Sequence, residues 1–431
     1  MFTVPENHTD PGGRQITLPI TRLPAHTDQP GPPVFLLYGG PGLSNTWAEP
    51  PLWLQANHDL VMVGYRGVDG VPALDGAEIV DALRGQRDPL SSPNLETLRR
   101  IWANLHERLA IQGGLHPQYA TLRDVVADLD AARAALGYER ICLYSQGYGT
   151  RVAYLYGQHH PDRVECSVMV APLPSGGLAW DAAHIETVLR RYADLWAQDA
   201  AARARTPDLL GTLQAVLSRL PFDWGEHYLD RDKVRVMAFL NLFHTGSAAM
   251  VFDAFVAAEQ GDFSGMAMLW ALYDQMIPEA FNWGDFACKA FSADLDPARD
   301  YAQSPPGAIL GAPLTELLFG SAQGGWPGDR LPESDRSLQP SDVPTLLISG
   351  DLDFATPEAG VAALLSHLRQ AQRVQLPTAG HVQDLVHNQP TAFAHLVQTF
   401  LATGQGDASQ FVSPPVNFTP PITFQQLARG G

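Results

Sequence analysis

A short apolar strand that turns through glycine directly into a helix constrains this chain more than any other feature. The segment ICLYSQGYGTR, residues 141–151, has this pattern. Buried strands ending at glycine are also predicted at 33–42 (PVFLLYGGPG) and 59–67 (DLVMVGYRG), and a helix at 121–137. Strands that alternate with helices in this way predict a mostly parallel sheet covered on both faces.

The alternation of strands and helices is interrupted in the middle of the chain. Residues 1–171 and 339–403 carry it, whereas 172–338 consist of helical stretches rich in Ala, Leu and Trp with almost no strand-like run. We therefore predict one α/β core in two parts with an inserted helical cap at 172–338. The Pro-rich tail, 404–431, lacks periodicity and is expected to lie extended along the surface. The segment RQITLPITRL, 14–23, is predicted as β structure.

Composition excludes several classes of partner. The 431 residues include 28 basic and 46 acidic side chains, a formal net charge of −18, and no basic run, which argues against nucleic acid and membrane surfaces as partners. The N-terminal residues MFTVPENHTDPGG do not have the pattern of a secretory signal, so a cytoplasmic location is expected. The three cysteines, Cys142, Cys166 and Cys288, show no metal-ligand spacing and are expected in the core.

Three chemistry-bearing residues follow predicted strands at their carboxyl ends, where open α/β sheets bind ligands. Gly40 lies in YGGPG, whose glycines allow backbone N–H groups to approach a ligand; a plain tight turn is the alternative. Asp353, in SGDLDFATPE, either orients an imidazole or caps a helix. His381, in TAGH, is either a catalytic or a structural histidine. A strand–turn–helix elbow, an acid and a histidine in this chain order are the α/β-hydrolase arrangement.

Several longer segments form a specific joint pattern: VPENHTDP, GGPGLSN, DLVMVGYRGVDG, DVVADLDAARAALGYERICLY, GYGTRVAYLYGQHHPDRV, GDLDFATPE and GH. Over nearly its whole length the chain resembles the proline iminopeptidase and tripeptidyl aminopeptidase family of α/β hydrolases. The resemblance implies an α/β-hydrolase fold, with a mostly parallel sheet, helices on both faces and an inserted helical cap. It also implies a small-molecule or peptide-like substrate and no cofactor or metal.

The elbow departs from the family pattern, which places a serine at the tip of the turn. Aligning Tyr148 and the three residues after it without a gap puts Gly147 at the serine position. Ser145 then closes the strand and should point into the packing between strand and helix. If Ser145 were the nucleophile, the helix would shift by two residues and its buried face, with Val152 and Tyr156, would rotate by about 200°. The sequence therefore predicts an elbow without its serine.

The remaining residues predict an acid–base site. Asp353 can hold His381 in one tautomer and leave the other ring nitrogen free. The backbone N–H groups of Gly40 and Tyr148 are the predicted oxyanion hole.

Further candidates for substrate contact come from the resemblance and from position. Cap acids of the family hold a substrate amine, which suggests Glu279 or Asp285; surface acids on a cap helix are the alternative. Trp283 could line an apolar pocket or belong to the cap core. Tyr38 replaces the family's histidine before Gly-Gly, and Gln146 precedes the tip of the elbow.

Three functions are compatible with this pattern. The first is non-hydrolytic acid–base chemistry on a small molecule, such as a cyclisation, elimination or isomerisation in a biosynthetic pathway. The second is hydrolysis of a peptide, amide or ester through Ser145, through a water activated by histidine, or in a protein whose serine was replaced. The third is ligand binding without catalysis. Retention of the acid, the histidine and the glycine loop favours the first two, because a binding protein does not need the dyad.

Overall fold

The computed structural model describes residues 1–430, and a mostly parallel sheet lies at the centre of that part of the chain. The strands of these residues, in chain order, are β1 (Phe2–Pro5), β2 (Gln15–Leu18), β3 (Ile20–Leu23), β4 (Val34–Leu37), β5 (Leu60–Val63), β6 (Ile141–Gln146), β7 (Val164–Val170), β8 (Phe222–Trp224), β9 (His227–Leu229), β10 (Thr345–Gly350) and β11 (Ala371–Leu376). In the described range the central sheet has the order β11–β10–β7–β6–β4–β5–β3. β3 runs antiparallel to β5, and the other neighbouring strands are parallel.

The helices connect the strands or lie in the inserted segments. Those outside the insertion at 172–338 are α1 (Ala77–Leu83), α2 (Ser92–Ile111), α3 (Leu122–Ala135), α4 (Tyr148–His159), α14 (Glu358–Leu365), α15 (Val382–His387), α16 (Pro390–Thr403) and α17 (Phe424–Gly430). Those within it are α5 (Ala182–Gln198), α6 (Ala200–Arg205), α7 (Leu209–Arg219), α8 (Arg231–Asn241), α9 (Thr245–Glu259), α10 (Ser264–Met276), α11 (Trp283–Asp294), α12 (Pro313–Thr315) and α13 (Glu333–Arg336). Among residues 1–430, no helix combines the length and the apolar character needed to span a bilayer.

The sheet is buried on both faces because its central strands are apolar throughout. In β4, Phe35 and Leu37 face the cluster formed with α3 and α4, while Val34 and Leu36 face the cluster formed with α15 and α16. This alternation follows from the two-residue period of a strand, and the continuous apolar sequence follows from burial on both sides. The predicted class is confirmed: the protein has the α/β-hydrolase fold.

The alternating segment 14–23 forms two strands in different sheets. β2 pairs with β1 in a separate two-stranded sheet, whereas β3 pairs with the edge strand β5. Pro19 separates them, because proline has no N–H to donate to a strand ladder.

The helical layer beside the site includes helices from outside residues 172–338. Trp102 of α2 packs edge-on against Trp283 and Phe291 of α11, with ring centroids 6.2 and 5.1 Å apart. These residues belong to one hydrophobic cluster that also contains the inward faces of α5, α8 and α9. Helices α1 and α2 therefore pack with the predicted cap, although they precede its predicted start. The insertion also contains the hairpin β8–β9, which the sequence analysis did not predict.

The prediction of an extended tail at 404–431 is correct only in part. Residues 404–423 contain no regular element, but α17 follows and packs against α9 and α10. Phe418 is 4% exposed, with its ring 5.1 Å from that of Trp196, and Phe424 is also buried. The tail is thus docked onto the helical insertion through isolated aromatic side chains, which leave no periodic pattern in the sequence.

We expect this docking to contribute to stability. Phe418→Ala removes a buried aromatic side chain and should lower the free energy of unfolding by about 3–5 kcal/mol. Val412→Ala, on the same tail at a position that is 68% exposed, is the control and should change it by less than about 0.5 kcal/mol. Urea unfolding of both variants measures the difference. Equal stabilities would mean that the tail does not dock as described.

Candidate active site

The elbow between β6 and α4 has glycine at its tip. Gly147 has φ 52° and ψ −121°, a backbone conformation that residues other than glycine rarely adopt. Its N–H donates to the carbonyl of Val170 at 2.9 Å. Gly149 lets the first turn of α4 approach the end of β4, because a Cβ there would lie 2.1 Å from the carbonyl oxygen of Leu37. These two glycines place the tip of the elbow beside the loop that follows β4.

An aspartate and a histidine meet at the carboxyl edge of the sheet, as predicted. Asp353 follows β10 and His381 follows β11, and Nδ1 of His381 donates to Oδ2 of Asp353 at 2.9 Å. The same carboxylate accepts from Ala355 N at 2.8 Å, Thr356 N at 2.9 Å and Thr356 Oγ1 at 2.6 Å. Asp353 is 1% exposed. Burial alone would raise the pKa of this carboxyl, but the imidazole and the hydrogen bonds outweigh it and hold the pKa below its usual value.

The second ring nitrogen of His381 faces the tip of the elbow. A Cβ added to Gly147 would lie 3.4 Å from Nε2 of His381 and 3.9 Å from a methyl group of Val382, which are ordinary contact distances. A side chain at position 147 would therefore meet the imidazole without a clash. With hydrogen at that position, the space beside Nε2 is left to other groups.

Ser145 is placed where the sequence analysis expected it. Its side chain is fully buried, and Oγ donates to the carbonyl of Val168 on the neighbouring strand at 2.9 Å. Strand β6 ends at Gln146 and α4 begins at Tyr148, which leaves Gly147 at the tip of the turn. Ser145 therefore belongs to the strand packing and is not presented to His381.

Two backbone N–H groups remain free beside this centre. Tyr148 opens α4, where the first N–H groups of a helix lack intrahelical acceptors, and Gly40 lies in the loop after β4. Neither N–H donates to an acceptor within residues 1–430. The ring of Tyr148 points away into the core, where burial raises the pKa of its hydroxyl. The assignment of these two groups as an oxyanion hole stays a prediction.

Asp285 has a different environment from the one expected of a substrate-binding acid. It is fully buried; Oδ2 accepts from Gly42 N at 2.9 Å, and Oδ1 pairs with Nζ of Lys289 at 2.5 Å. Lys289 also donates to the carbonyl of Arg66 at 2.9 Å. Burial raises the pKa of Asp285, and the ammonium of Lys289 opposes that shift. The predicted contact with a substrate amine is thus wrong in its geometry: this carboxylate fastens the glycine loop to α11.

The other candidates for substrate contact are mostly buried or already paired. Trp283 is 1% exposed, and its indole donates to the carbonyl of Pro278, so it belongs to the core. Tyr38 is 5% exposed and packs edge-on against Tyr144, so its ring is a core contact as well. Trp283 thus follows the core alternative that the sequence left open, and contact of Tyr38 with a substrate stays a prediction.

Two further candidates keep some exposure. Gln146 is half-buried, and its amide donates to the hydroxyl of Tyr144 at 2.8 Å. Glu279 lies on the surface in an ion pair with Arg84 at 2.6 Å. Their contact with a substrate stays a prediction.

Two cavities are open in the described part of the chain, and neither is lined by Asp353, His381 or Gly147. One of about 290 Å³ lies beside the loop that carries the dyad carboxylate and is lined by Ala355, Thr356, Pro357, Leu173 and Trp180, among others. A larger one of about 620 Å³ lies between the loop after β1, the start of α3 and residues 326–332, and the dyad does not line it. The smaller cavity is lined mainly by apolar surface, and its volume is just below the usual range of small-molecule sites.

The turn between α8 and α9 also reaches the dyad, a contact that no sequence pattern predicts. The carbonyl of Phe243 accepts from His381 N at 2.7 Å, and the ring of His244 lies 6.4 Å from that of His381. No motif marks this turn, and its position depends on how the insertion folds back over the sheet.

Comparisons with known proteins find the following similarities. A family model described as TAP-like protein matches residues 321–412, which include Asp353 and His381. The tripeptidyl aminopeptidase of Streptomyces lividans is 23% identical over 96% of this chain and 83% of its own length. Serine protease Hip1 of Mycobacterium tuberculosis is 28% identical over 44% of this chain and 38% of its own length. The solved proline iminopeptidase of Mycobacterium smegmatis aligns over 94% of this chain and 98% of its own, with 17% identity and a TM-score of 0.43.

The role of Asp285 can be tested against that of Glu279. Asp285→Ala leaves the charge of Lys289 buried and unpaired, and should lower the free energy of unfolding by about 3–5 kcal/mol. Glu279→Ala removes an exposed ion pair and should change it by at most about 1 kcal/mol. Chemical denaturation of both variants is the measurement. Similar effects of the two substitutions would contradict the assigned role of Asp285.

Proposed function

We propose that this protein is an enzyme of the α/β-hydrolase superfamily in which Asp353 and His381 act as an acid–base dyad on a small molecule, without a covalent serine intermediate. One observation carries the proposal: Nε2 of His381 faces a glycine at the tip of the elbow, while Nδ1 is held by a buried carboxylate. An imidazole fixed in this way can accept a proton on one nitrogen and is stabilised as the cation through the other.

Gly147 occupies the position that serine holds in the proline iminopeptidase and tripeptidyl aminopeptidase family. The relatives named above support a place near that family, and the matched segment 321–412 includes both dyad residues. Loss of the serine side chain removes covalent catalysis but leaves the imidazole, its carboxylate and the main-chain donors.

The chemistry available to such a site is proton transfer next to a stabilised negative charge. Nε2 of His381 removes a proton from the substrate, and the N–H groups of Gly40 and Tyr148 donate to an oxygen that gains charge. Isomerisation, elimination and cyclisation need these elements and no nucleophile from the protein. The proposed chemistry requires neither a metal nor an organic cofactor.

Hydrolysis of a peptide, amide or ester is a second candidate. The space beside Nε2 of His381 suits a water molecule that the imidazole could activate, and a tripeptidyl aminopeptidase is among the relatives. A triad without its nucleophile retains about 10³–10⁴-fold acceleration over water through the oxyanion hole and binding. Binding without catalysis is the third possibility, and the intact dyad argues against it.

Restoring the serine tests the dyad directly. Gly147→Ser should place Oγ within reach of Nε2 of His381 and allow acylation by p-nitrophenyl acetate. Intact-mass analysis should show an acyl or fluorophosphonate adduct on this variant and none on the wild-type protein. The matched control, Gly147→Ser with His381→Ala, should react at least about a hundredfold more slowly because no base remains.

A folded Gly147→Ser protein that forms no adduct would contradict the proposed dyad. Serine at positive φ costs about 1–2 kcal/mol, so circular dichroism and thermal unfolding of the variant establish that it is folded. A fluorophosphonate adduct on Ser145 of the wild-type protein would contradict the assignment of the elbow.

A further inference from the structure

A second imidazole lies beside the dyad. The ring of His244, at the start of α9, has its centroid 6.4 Å from that of His381, with the planes tilted by 38°. The preceding carbonyl, of Phe243, accepts from His381 N at 2.7 Å, and a Cβ on Gly380 would lie 3.3 Å from Cα of His244. The backbone thus holds the two histidines together.

His244 lacks the hydrogen bonds that a structural histidine usually makes. Its Nδ1 is buried and has no hydrogen-bond partner among residues 1–430, whereas Nε2 is not among the buried unpaired atoms. By contrast, His8 is bonded to Asp128 at 2.8 Å and His395 to Asp407 at 3.0 Å. An unpaired buried nitrogen costs folding free energy, so the side chain contributes less to stability than a paired histidine would.

His244 and His381 differ in the charged groups that surround their imidazole rings. Its titratable neighbours are Asp384, His381 and Asp353; burial lowers its pKa, the two carboxylates act against that shift and His381 adds to it. Oδ2 of Asp384 is occupied by Thr245 N and Gly380 N, both at 2.8 Å. One imidazole therefore has a carboxylate partner for its cationic form and the other has none. Two titratable groups in such contrasting environments suit separate acid–base roles.

We propose that His244 contacts the substrate and donates a hydrogen bond to a substrate oxygen while His381 moves the proton, an inference that rests on the proposed acid–base function. The matching substrate class is a small carbonyl compound with a C–H bond next to the carbonyl. His381 takes that proton, the C–H electron pair forms the C=C bond of an enolate, and the carbonyl π pair moves onto the oxygen. Because Nδ1 is buried, it is the Nε2–H of neutral His244 that donates to this oxygen, together with the N–H groups of Gly40 and Tyr148. Return of the proton from His381 to another atom of the substrate completes an isomerisation without a co-reactant.

Stability measurements separate this role from a structural one. His244→Leu fills a similar volume and removes the unpaired nitrogens, so its melting temperature should equal or exceed that of the wild-type protein. His227→Leu, at an exposed histidine of the same insertion, is the control. A clear loss of stability in His244→Leu relative to the control would show that the imidazole serves the fold and would overturn the proposal.

Kinetics test the contact itself in the Gly147→Ser background, with p-nitrophenyl acetate as the probe. Adding His244→Leu should lower kcat/KM at least tenfold. His244→Gln keeps an N–H donor and should recover part of that loss. The control, His227→Leu, should leave kcat/KM unchanged. Unchanged kinetics in the His244→Leu double variant would overturn the proposal. If Gly147→Ser itself fails to acylate, the proposed function of the dyad is contradicted. In that case the melting temperatures alone show whether the imidazole of His244 is needed for folding.

Discussion

The hydrogen bond between the buried carboxylate of Asp353 and Nδ1 of His381 is the interaction on which the candidate site depends. Ionising a carboxylate this deeply buried costs free energy unless its oxygens accept hydrogen bonds. Here the backbone N–H groups of Ala355 and Thr356, the hydroxyl of Thr356 and the imidazole supply the hydrogen bonds. The loop after β10 is therefore folded around the carboxylate, and the imidazole has one preferred orientation, with Nε2 turned towards Gly147.

A second buried pair connects this centre to the inserted helices. Asp285 and Lys289 of α11 bind the amide of Gly42 and the carbonyl of Arg66, which lie in the loops after β4 and β5. The loop with the predicted oxyanion donor is thus held by the insertion as well as by the sheet. On the other side, the turn before α9 holds His381 through the carbonyl of Phe243. The helical insertion consequently positions parts of the site at two separate places.

Sequence patterns predicted the features that depend on local order. The strand–glycine–helix segment at 141–151 specified the elbow, because strand and helix periods on either side of Gly147 leave one register. Asp353 and His381 were found because strand ends in parallel sheets converge at one edge. The docking of Phe418, the pairing of Asp285 with Lys289 and the approach of His244 could not be predicted in this way. The docking of Phe418, the approach of His244 and the contact of Asp285 with Gly42 join residues far apart in the chain, and isolated aromatic, acidic or histidine residues carry no periodic signal.

The tautomer of His381 is the most direct test of this account, because it reports whether Nε2 is free beside the elbow. Imidazole nitrogen NMR of the selectively labelled wild-type protein, with the imidazole in its neutral form, should show the hydrogen on Nδ1 and none on Nε2. The preference should disappear in Asp353→Asn, whose amide no longer selects the Nδ1-protonated form. A neutral imidazole with its hydrogen on Nε2, or an equal mixture of both tautomers, would contradict the assignment of Asp353 and His381 as an acid–base dyad.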